Sequence, residues 1–370
     1  MVLRKGALLS AVIALVVVLA LPVFAGGGAE SSAQGGKMYI PVISKGFQHQ
    51  FWQTVKKGAE AAAQEYGVEI TFEGPPTEAD IQPQVQMLVN ALAKDPAAIA
   101  LAALDTNSVM DQLNEAIRRK IPIIGFDSGV PNAPKGAIYA TAATNSYAAA
   151  GLAAEKMFPE IKAKIEAATD SKPVTIVDFN QDATSQSVTD RGKGFRDKMI
   201  ELITTQTKLT KADIKVTGNP AYIAPDSPTT GKKVIIDVQV PASPKDTDAT
   251  NTANAILNRV KSDNIVGMFC SNEGTARAVL AATNDGSALP TQYPGLFVIG
   301  FDAGKAQKAA VRNKYFYGAI TQDPYNIGYK AVELAYKAVK GQPVADVDTG
   351  AKFYDSSNMD QPDIAQLLYD

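Results

Sequence analysis

Residues 44–52 place five polar side chains beside three aromatic rings, in the order Ser44-Lys45-Gly46-Phe47-Gln48-His49-Gln50-Phe51-Trp52. A ligand with apolar faces and polar edges needs this mixture. The C–H faces of a sugar ring lie against aromatic rings, and its hydroxyls require carboxylate or amide partners. A site built this way discriminates well, because a missing hydroxyl leaves a buried polar group unpaired. Trp52 fits a site wall or the core of a helix start, and His49 fits a ligand contact or a solvated loop.

A second concentration of chemistry comes from an internal repeat. Ile123-Ile124-Gly125-Phe126-Asp127-Ser128-Gly129 recurs as Val298-Ile299-Gly300-Phe301-Asp302-Ala303-Gly304. Each copy is an apolar strand ending in Phe-Asp-small-Gly, which suggests two lobes of like topology. Asp127 and Asp302 suit ligand binding, helix N-capping or acid/base work. In open α/β sheets ligands bind beyond the carboxyl ends of the strands. Those ends carry Ser44 and Lys45, Asp105, Asp127 and Ser128, Asn180, Ser271-Asn272-Glu273, Asp302, and Thr321-Gln322.

Common reaction chemistry lacks its usual residues. There is no Gly-x-x-x-x-Gly-Lys-Ser/Thr loop, no Gly-x-Gly-x-x-Gly after the first strand and no Gly-x-Ser-x-Gly elbow. One Cys and one His exclude a disulfide and disfavour a Cys/His zinc site, so no metal and no cofactor is expected. A formal net charge of -2 gives no electrostatic footprint for nucleic acid.

The elements that must position these residues alternate. Strands are expected at 39–43, 68–72, 98–103, 121–126, 174–179, 234–240, 265–269, 296–301 and 316–320. Helices are expected at 51–66, 78–94, 107–120, 191–202, 251–261, 274–282, 306–313 and 327–340. Such alternation indicates parallel sheets covered by helices. Residues 162–172 and 217–231 are polar or rich in Pro and Gly and read as surface excursions. At the N-terminus, Arg4 and Lys5 precede an apolar run that ends at Val23-Phe24-Ala25, the pattern of an export signal over residues 1–25. Residues 26–36 read as a flexible leader, and no Cys stands at the cleavage point to carry a lipid.

At these residues the chain resembles the type I periplasmic sugar-binding proteins, the ribose- and galactose-binding family. The resemblance runs from about Met38 to the C-terminus. It rests on the Ser44 to Trp52 opening, Gly125-Phe126-Asp127-Ser128, Asp190-Arg191-Gly192-Lys193-Gly194-Phe195, Cys270-Ser271-Asn272-Glu273, Val298-Ile299-Gly300-Phe301-Asp302 and Ile320-Thr321-Gln322-Asp323-Pro324. It implies two doubly wound parallel-sheet lobes joined by a three-strand hinge, 37–141 with 323–348 and 142–322 with 349–370.

By position, Ser44, Phe51, Trp52, Asp127, Asn272, Asp302 and Gln322 match the family's sugar contacts, with Gln48, His49 and Ser128 as further candidates. The resemblance implies that Phe51 and Trp52 sandwich the ring with an aromatic of the other lobe, and that Arg191 is structural. Ser128 and Thr189 stand where ribose binders carry arginines, and an aromatic near Pro244 is missing. These departures point to a different pentose, hexose or polyol.

The function implied is that of a periplasmic receptor, a monomer that hands its sugar to an ABC permease and its ATPase, with a chemoreceptor as a further candidate partner. A nucleoside or autoinducer-type sugar is the alternative ligand. A sugar-processing enzyme would need an activated nucleophile or metal cluster, and a sugar-sensing repressor an N-terminal helix-turn-helix.

Overall fold

The computed structural model describes residues 37–369, so the expected export signal lies outside the described residues. The chain opens as a strand–helix alternation, β1 Tyr39–Ile43, α1 Gln50–Tyr66, β2 Glu69–Glu73, α2 Ile81–Ala93, β3 Ile99–Leu101, α3 Met110–Arg119 and β4 Ile123–Phe126, after which β5 Ile138–Ala143 follows with no helix between. It continues with α4 Ser146–Glu166, β6 Val174–Phe179, α5 Gln186–Gln206, β7 Ile214–Gly218, β8 Val234–Gln239, α6 Asp246–Asn258, β9 Ile265–Cys270, α7 Glu273–Ala282, α8 Leu289–Gln292, β10 Phe297–Phe301, α9 Lys305–Arg312 and β11 Gly318–Gln322. It ends with α10 Pro324–Val339, β12 Val347–Asp348, β13 Ala351–Tyr354 and α11 Pro362–Ala365.

Two sheets result. One has the order β12-β5-β4-β3-β1-β2 and the other β13-β11-β10-β9-β6-β8-β7. Every pairing is parallel except that of β13 with β11. The central strands are apolar on both faces, β4 and β9 being buried throughout, because helices cover both sides. The fold is therefore two α/β lobes, and the chain passes between the sheets three times, at β5–α4, β11–α10 and β12–β13. Ala142 and Ala143 still pair within the first sheet, with Val347 and Asp348, so the first passage lies after Ala143 rather than after Thr141.

Tight helix contacts fix α10 to the first lobe. A Cβ on Gly58 of α1 would stand 1.9 Å from the Tyr325 carbonyl oxygen, and one on Gly328 of α10 1.9 Å from that of Val55. Only glycine at both positions lets the two backbones approach this closely. The segment that crosses back from β11 is thereby packed on α1, whose first turn carries Phe51 and Trp52.

Both expected surface excursions need correction. Residues 162–166 are the last turn of α4, with Ile165 buried. That helix is Ala-rich and contains Pro159, which hid it in the sequence. Within 217–231, Thr217 and Gly218 complete β7, and Tyr222 is fully buried, its hydroxyl donating to the Asp182 carbonyl. The turn-forming residues around Tyr222 conceal a core side chain.

Candidate ligand-binding site

The carboxyl ends of the two sheets face one buried cavity lined by Lys45, His49, Phe51, Trp52, Glu78, Asp127, Arg191, Asn272, Asp302 and Gln322. Its volume is about 20 Å³. The loop after β1 supplies Lys45 and His49, and the start of α1 supplies Phe51 and Trp52. Glu78 comes from the β2–α2 loop and Asp127 from the end of β4. The second lobe adds Arg191 from α5, Asn272 after β9, Asp302 after β10 and Gln322 at the end of β11.

Asp127 and Asp302 are structurally equivalent in backbone as well as in sequence. Asp127 has φ 54° and Asp302 φ 76°. All six other non-glycine residues with positive φ among the described residues are exposed, whereas these two are buried. Each donates its N–H to the neighbouring strand, Asp127 to the Ala142 carbonyl at 3.0 Å and Asp302 to that of Ile320 at 2.6 Å. Left-handed backbone at a buried aspartate is strained and persists only where the surroundings impose it. In both lobes it turns the carboxylate past the strand end toward the shared cavity.

Neither aspartate caps the helix that follows it, as one sequence reading expected. Asp302 accepts from Gln322 Nε2 at 2.7 Å through Oδ1, and from the Glu273 N–H at 3.0 Å through Oδ2. Asp127 Oδ2 has no hydrogen-bond donor and stands 3.5 Å from Lys45 Nζ. Burial raises the Asp127 carboxyl above its ordinary 3.8, with Lys45 and Arg191 opposing.

Glu78 behaves oppositely. Burial would raise it too, but Lys45 at 3.8 Å, His49 at 3.7 Å and hydrogen bonds from Trp52 Nε1 (2.8 Å) and Gln181 Nε2 (2.7 Å) hold it down at about 2. Burial lowers the Lys45 ammonium, yet Glu78, Asp127 and Asp182 outweigh it and leave Lys45 above its ordinary value. The site thus holds a firmly ionised carboxylate and a firmly protonated lysine side by side.

A chain of hydrogen bonds links the lobes through the cavity wall. Asn272 Nδ2 donates to Gln181 Oε1 at 2.7 Å, and Gln181 in turn donates to Glu78. Lys45 Nζ donates to Ser187 Oγ at 3.3 Å from the other side. Asn272 also caps α7 through Oδ1, accepting from the Thr275 N–H at 3.1 Å, so its position is set by the helix start.

Of the sequence candidates, His49, Phe51, Trp52, Asp127, Asn272, Asp302 and Gln322 converge on this cavity. Trp52 belongs to both readings, lining the cavity while only 1% exposed and packed edge-on against Phe51 and Phe126. His49 is buried, not a solvated loop residue, and its Nδ1 has no partner.

Three candidates fall outside the lining. Ser44 Oγ donates to the Gly46 and Glu73 carbonyls. Ser128 Oγ accepts from the Ser187 N–H across the lobes. Gln48 Oε1 accepts from the Glu78 N–H at 2.8 Å and its Nε2 lies 3.1 Å from His49 Nε2, so it orients two lining residues without lining the cavity itself.

Arg191, expected to be structural, makes structural bonds and also lines the cavity. Its Nη1 donates to the Ser271 carbonyl, its guanidinium lies 3.9 Å from the Phe301 ring centre, and its buried Nε has no partner. Among the described residues no second-lobe aromatic lines the cavity, contrary to the sandwich expected from the resemblance; the stacked Arg191 guanidinium is the flat group that lobe contributes. Sequence reasoning missed Glu78 and Gln181. Neither stands directly at a repeated strand end, and only the loops' three-dimensional course brings them in.

Two α/β lobes with their strand ends turned on one polar and aromatic cavity define a binding protein of the type I periplasmic architecture. Residues 40–343 match the periplasmic binding protein domain, and the chain belongs to that family. A solved structure described as an ABC transporter, LacI family transcriptional regulator, from Brachyspira murdochii is 41% identical. It covers 90% of this chain and 99% of its own, with a TM-score of 0.74. An ABC transporter solute-binding protein from Agrobacterium vitis, solved with bound D-fucose, is 25% identical over 90% of this chain and 100% of its own (TM-score 0.72). The D-allose-binding periplasmic protein of Escherichia coli (strain K12) is 23% identical over 84% of this chain and 88% of its own.

Proposed function

We propose that this chain is the extracytoplasmic solute-binding component of an ABC importer, which closes its two lobes on one uncharged monosaccharide. The observation that carries the reading is the pair Asp127 and Asp302, buried, strained alike and brought from opposite lobes to one cavity. Carboxylates placed so accept from sugar hydroxyls, while the rings of Phe51 and Trp52 offer an apolar face.

The lining charges support a neutral guest. Lys45 and Arg191 stand against Glu78, Asp127 and Asp302, which leaves no surplus cation for a sugar acid or phosphate. We include Lys45, Glu78 and Arg191 with His49, Phe51, Trp52, Asp127, Asn272, Asp302 and Gln322 as contacts, and give Ser44, Gln48 and Ser128 supporting roles. The described residues enclose room for about one water, so a sugar ring enters only when the lobes part. The three chain passages between the sheets serve as the hinge, with lobes 37–143 plus 324–348 and 144–323 plus 349–370.

In this reading the protein binds without turnover, acts as a monomer, is exported by residues 1–25 and delivers its sugar to a permease driven by an ATPase. Delivery to a chemoreceptor uses the same closed form. The D-allose and D-fucose of its relatives belong to the same ligand class.

Calorimetry with D-allose, D-fucose, D-ribose, D-galactose and D-arabinose tests the assignment. At least one sugar should bind at micromolar strength or tighter, about -8 kcal/mol, and Asp127→Ala or Asp302→Ala should abolish most of it in a folded protein. Unchanged affinity in both variants removes these residues from the site.

A further inference from the structure

Helix α1 begins without a cap of its own. His49 at the cap position makes no side-chain cap bond, and the first turn holds no acidic residue. Its first N–H groups point instead at a carboxylate of the other lobe. Gln50 N–H donates to Glu273 Oε1 at 3.3 Å and Phe51 N–H to Glu273 Oε2 at 3.5 Å. Helix α9 shows the reciprocal arrangement. Its cap residue is Gly304, its first turn has no acid, and the Lys305 N–H donates to Gln50 Oε1 of the first lobe at 2.8 Å. Each helix start is therefore capped from across the cleft, and Gln50 takes part in both exchanges. Nearby, Arg277 Nη1 donates to the Gln48 carbonyl at 3.2 Å.

Gly304 makes room for both caps. A Cβ there would meet Glu273 Oε1 at 2.7 Å and Gln50 Oε1 at 3.2 Å. Its backbone, at φ -62°, accepts any residue, so the close approach of the two capping groups is what demands glycine. Glu273 is 3% exposed, and its own N–H donates to Asp302 Oδ2, which lines the cavity. The carboxylate thus stands between Asp302 and the turn that carries Phe51 and Trp52.

We propose that Glu273 and Gln50 form a reciprocal interlobe helix-capping latch, made only when the cleft closes, which couples sugar contact at Asp302, Phe51 and Trp52 to closure. The inference rests on the reading of the cleft as a closing sugar site. Glu273 is a positioning residue in it, not a sugar contact. With the lobes apart, the orphan N–H groups of α1 and α9 meet water. With the lobes together, a carboxylate lies on the positive end of α1 in a water-poor setting, where that interaction is strongest. The two bonds are long, so the charge–dipole part dominates. A contact made in one state only shifts the population toward that state by its own strength.

The test uses Glu273→Ala, Glu273→Gln, Gln50→Ala and Gly304→Ala in the full chain. The probe is whichever of D-allose, D-fucose, D-ribose, D-galactose and D-arabinose binds the unmodified protein most tightly. Stopped-flow Trp52 fluorescence gives association and dissociation rates, small-angle X-ray scattering gives the closed fraction, and calorimetry gives melting temperatures with and without sugar.

Loss of the carboxylate should speed dissociation about five- to tenfold, the factor carried by one helix cap, and association should change little. Glu273→Gln, which keeps an acceptor, should lose less. Gly304→Ala leaves every latch group present; its methyl crowds Gln50 across the cleft and Glu273 on its own lobe, whose flexible side chain is free to turn aside once the lobes part. It should mimic Glu273→Ala while the sugar-free melting temperature holds. Unmodified dissociation rates in all four variants, or losses matched by equal falls in sugar-free stability, overturn the latch. A parent protein that binds none of the sugars and does not compact overturns the cleft reading, and the latch with it.

Discussion

Glu78→Gln is the sharpest probe of the site, because the substitution keeps shape and removes one charge. The carboxylate accepts from Trp52 Nε1 at 2.8 Å and from Gln181 Nε2 at 2.7 Å. An amide keeps one acceptor and turns the other position into a donor. Trp52 is on the same lobe and its buried indole has no other acceptor, so the amide oxygen turns to it. The donor then faces Gln181, or the sugar hydroxyl that takes its place, and the penalty falls on the closed state. Loss of a hydrogen bond to a charged acceptor costs about 1.5–3 kcal/mol. Lys45 loses a carboxylate at 3.8 Å but keeps Asp127 at 3.5 Å, so the full penalty of a broken buried ion pair does not apply. About 2 kcal/mol remains, roughly a 30-fold weaker sugar complex. Trp52 is the chain's single tryptophan, so its emission reads the site directly. The expected result is a shifted emission spectrum in Glu78→Gln and a titration midpoint displaced by more than tenfold. Affinity within threefold of the parent, with an unaltered spectrum, would refute the assignment of Glu78 to the ligand wall.

Other expectations follow from the same geometry. The Asp127 carboxyl titrates above its ordinary 3.8 because it is buried, and in the proposed role its ionised form accepts from sugar hydroxyls. Affinity should therefore be complete above that raised value and fall as pH drops through it, beginning above 3.8, with Asp127→Asn giving a flat profile. A profile identical in the two proteins would remove Asp127 from sugar binding. Gly58→Ala places a methyl 1.9 Å from the Tyr325 carbonyl, and thermal unfolding should register a loss of about 3 kcal/mol or more; a parental melting temperature would contradict the α1–α10 packing. Gln84 donates to the Ser44 and Ala102 carbonyls and accepts from the Leu104 N–H, all buried. Gln84→Leu strands these groups and should cost roughly 3 kcal/mol in denaturant unfolding, together with sugar affinity, since Lys45 follows Ser44.

The sequence carried the fold where burial is two-sided and lost it where burial is partial or disguised. Strands such as Tyr39–Ile43 and Val174–Phe179 were legible to the residue, since a parallel strand covered on both faces is mostly apolar, β6 carrying only Thr175 and Asp178 as polar members. The strand Ile138–Ala143 and the helix Ser146–Glu166 were not, being Ala-rich and, in the helix, interrupted by Pro159. Two helix starts with polar first turns were read five residues late, Gln186–Gln206 and Asp246–Asn258; the latter opens with Asp and Thr, which gave no apolar period to detect.

The site divides along the same physical line. Asp127, Asn272, Asp302 and Gln322 could be found because topology alone delivers strand ends to one edge of a sheet, so a one-dimensional pattern already implies a place in space. Glu78, Gln181 and Glu273 belong to the site through their partners. A carboxylate in a loop after a strand has no signature of its own until Trp52, Gln181 and Lys45 are seen around it, and Glu273 becomes meaningful only when a helix start on the other lobe proves to lack a cap. Strand-end residues follow from the architecture that any member of the fold must build, and they equip the cleft for a polar guest. The groups that set which hydroxyl is read and how firmly the lobes hold are pairwise and cross the cleft, so substitutions there should alter ligand choice and closure while leaving the two lobes intact.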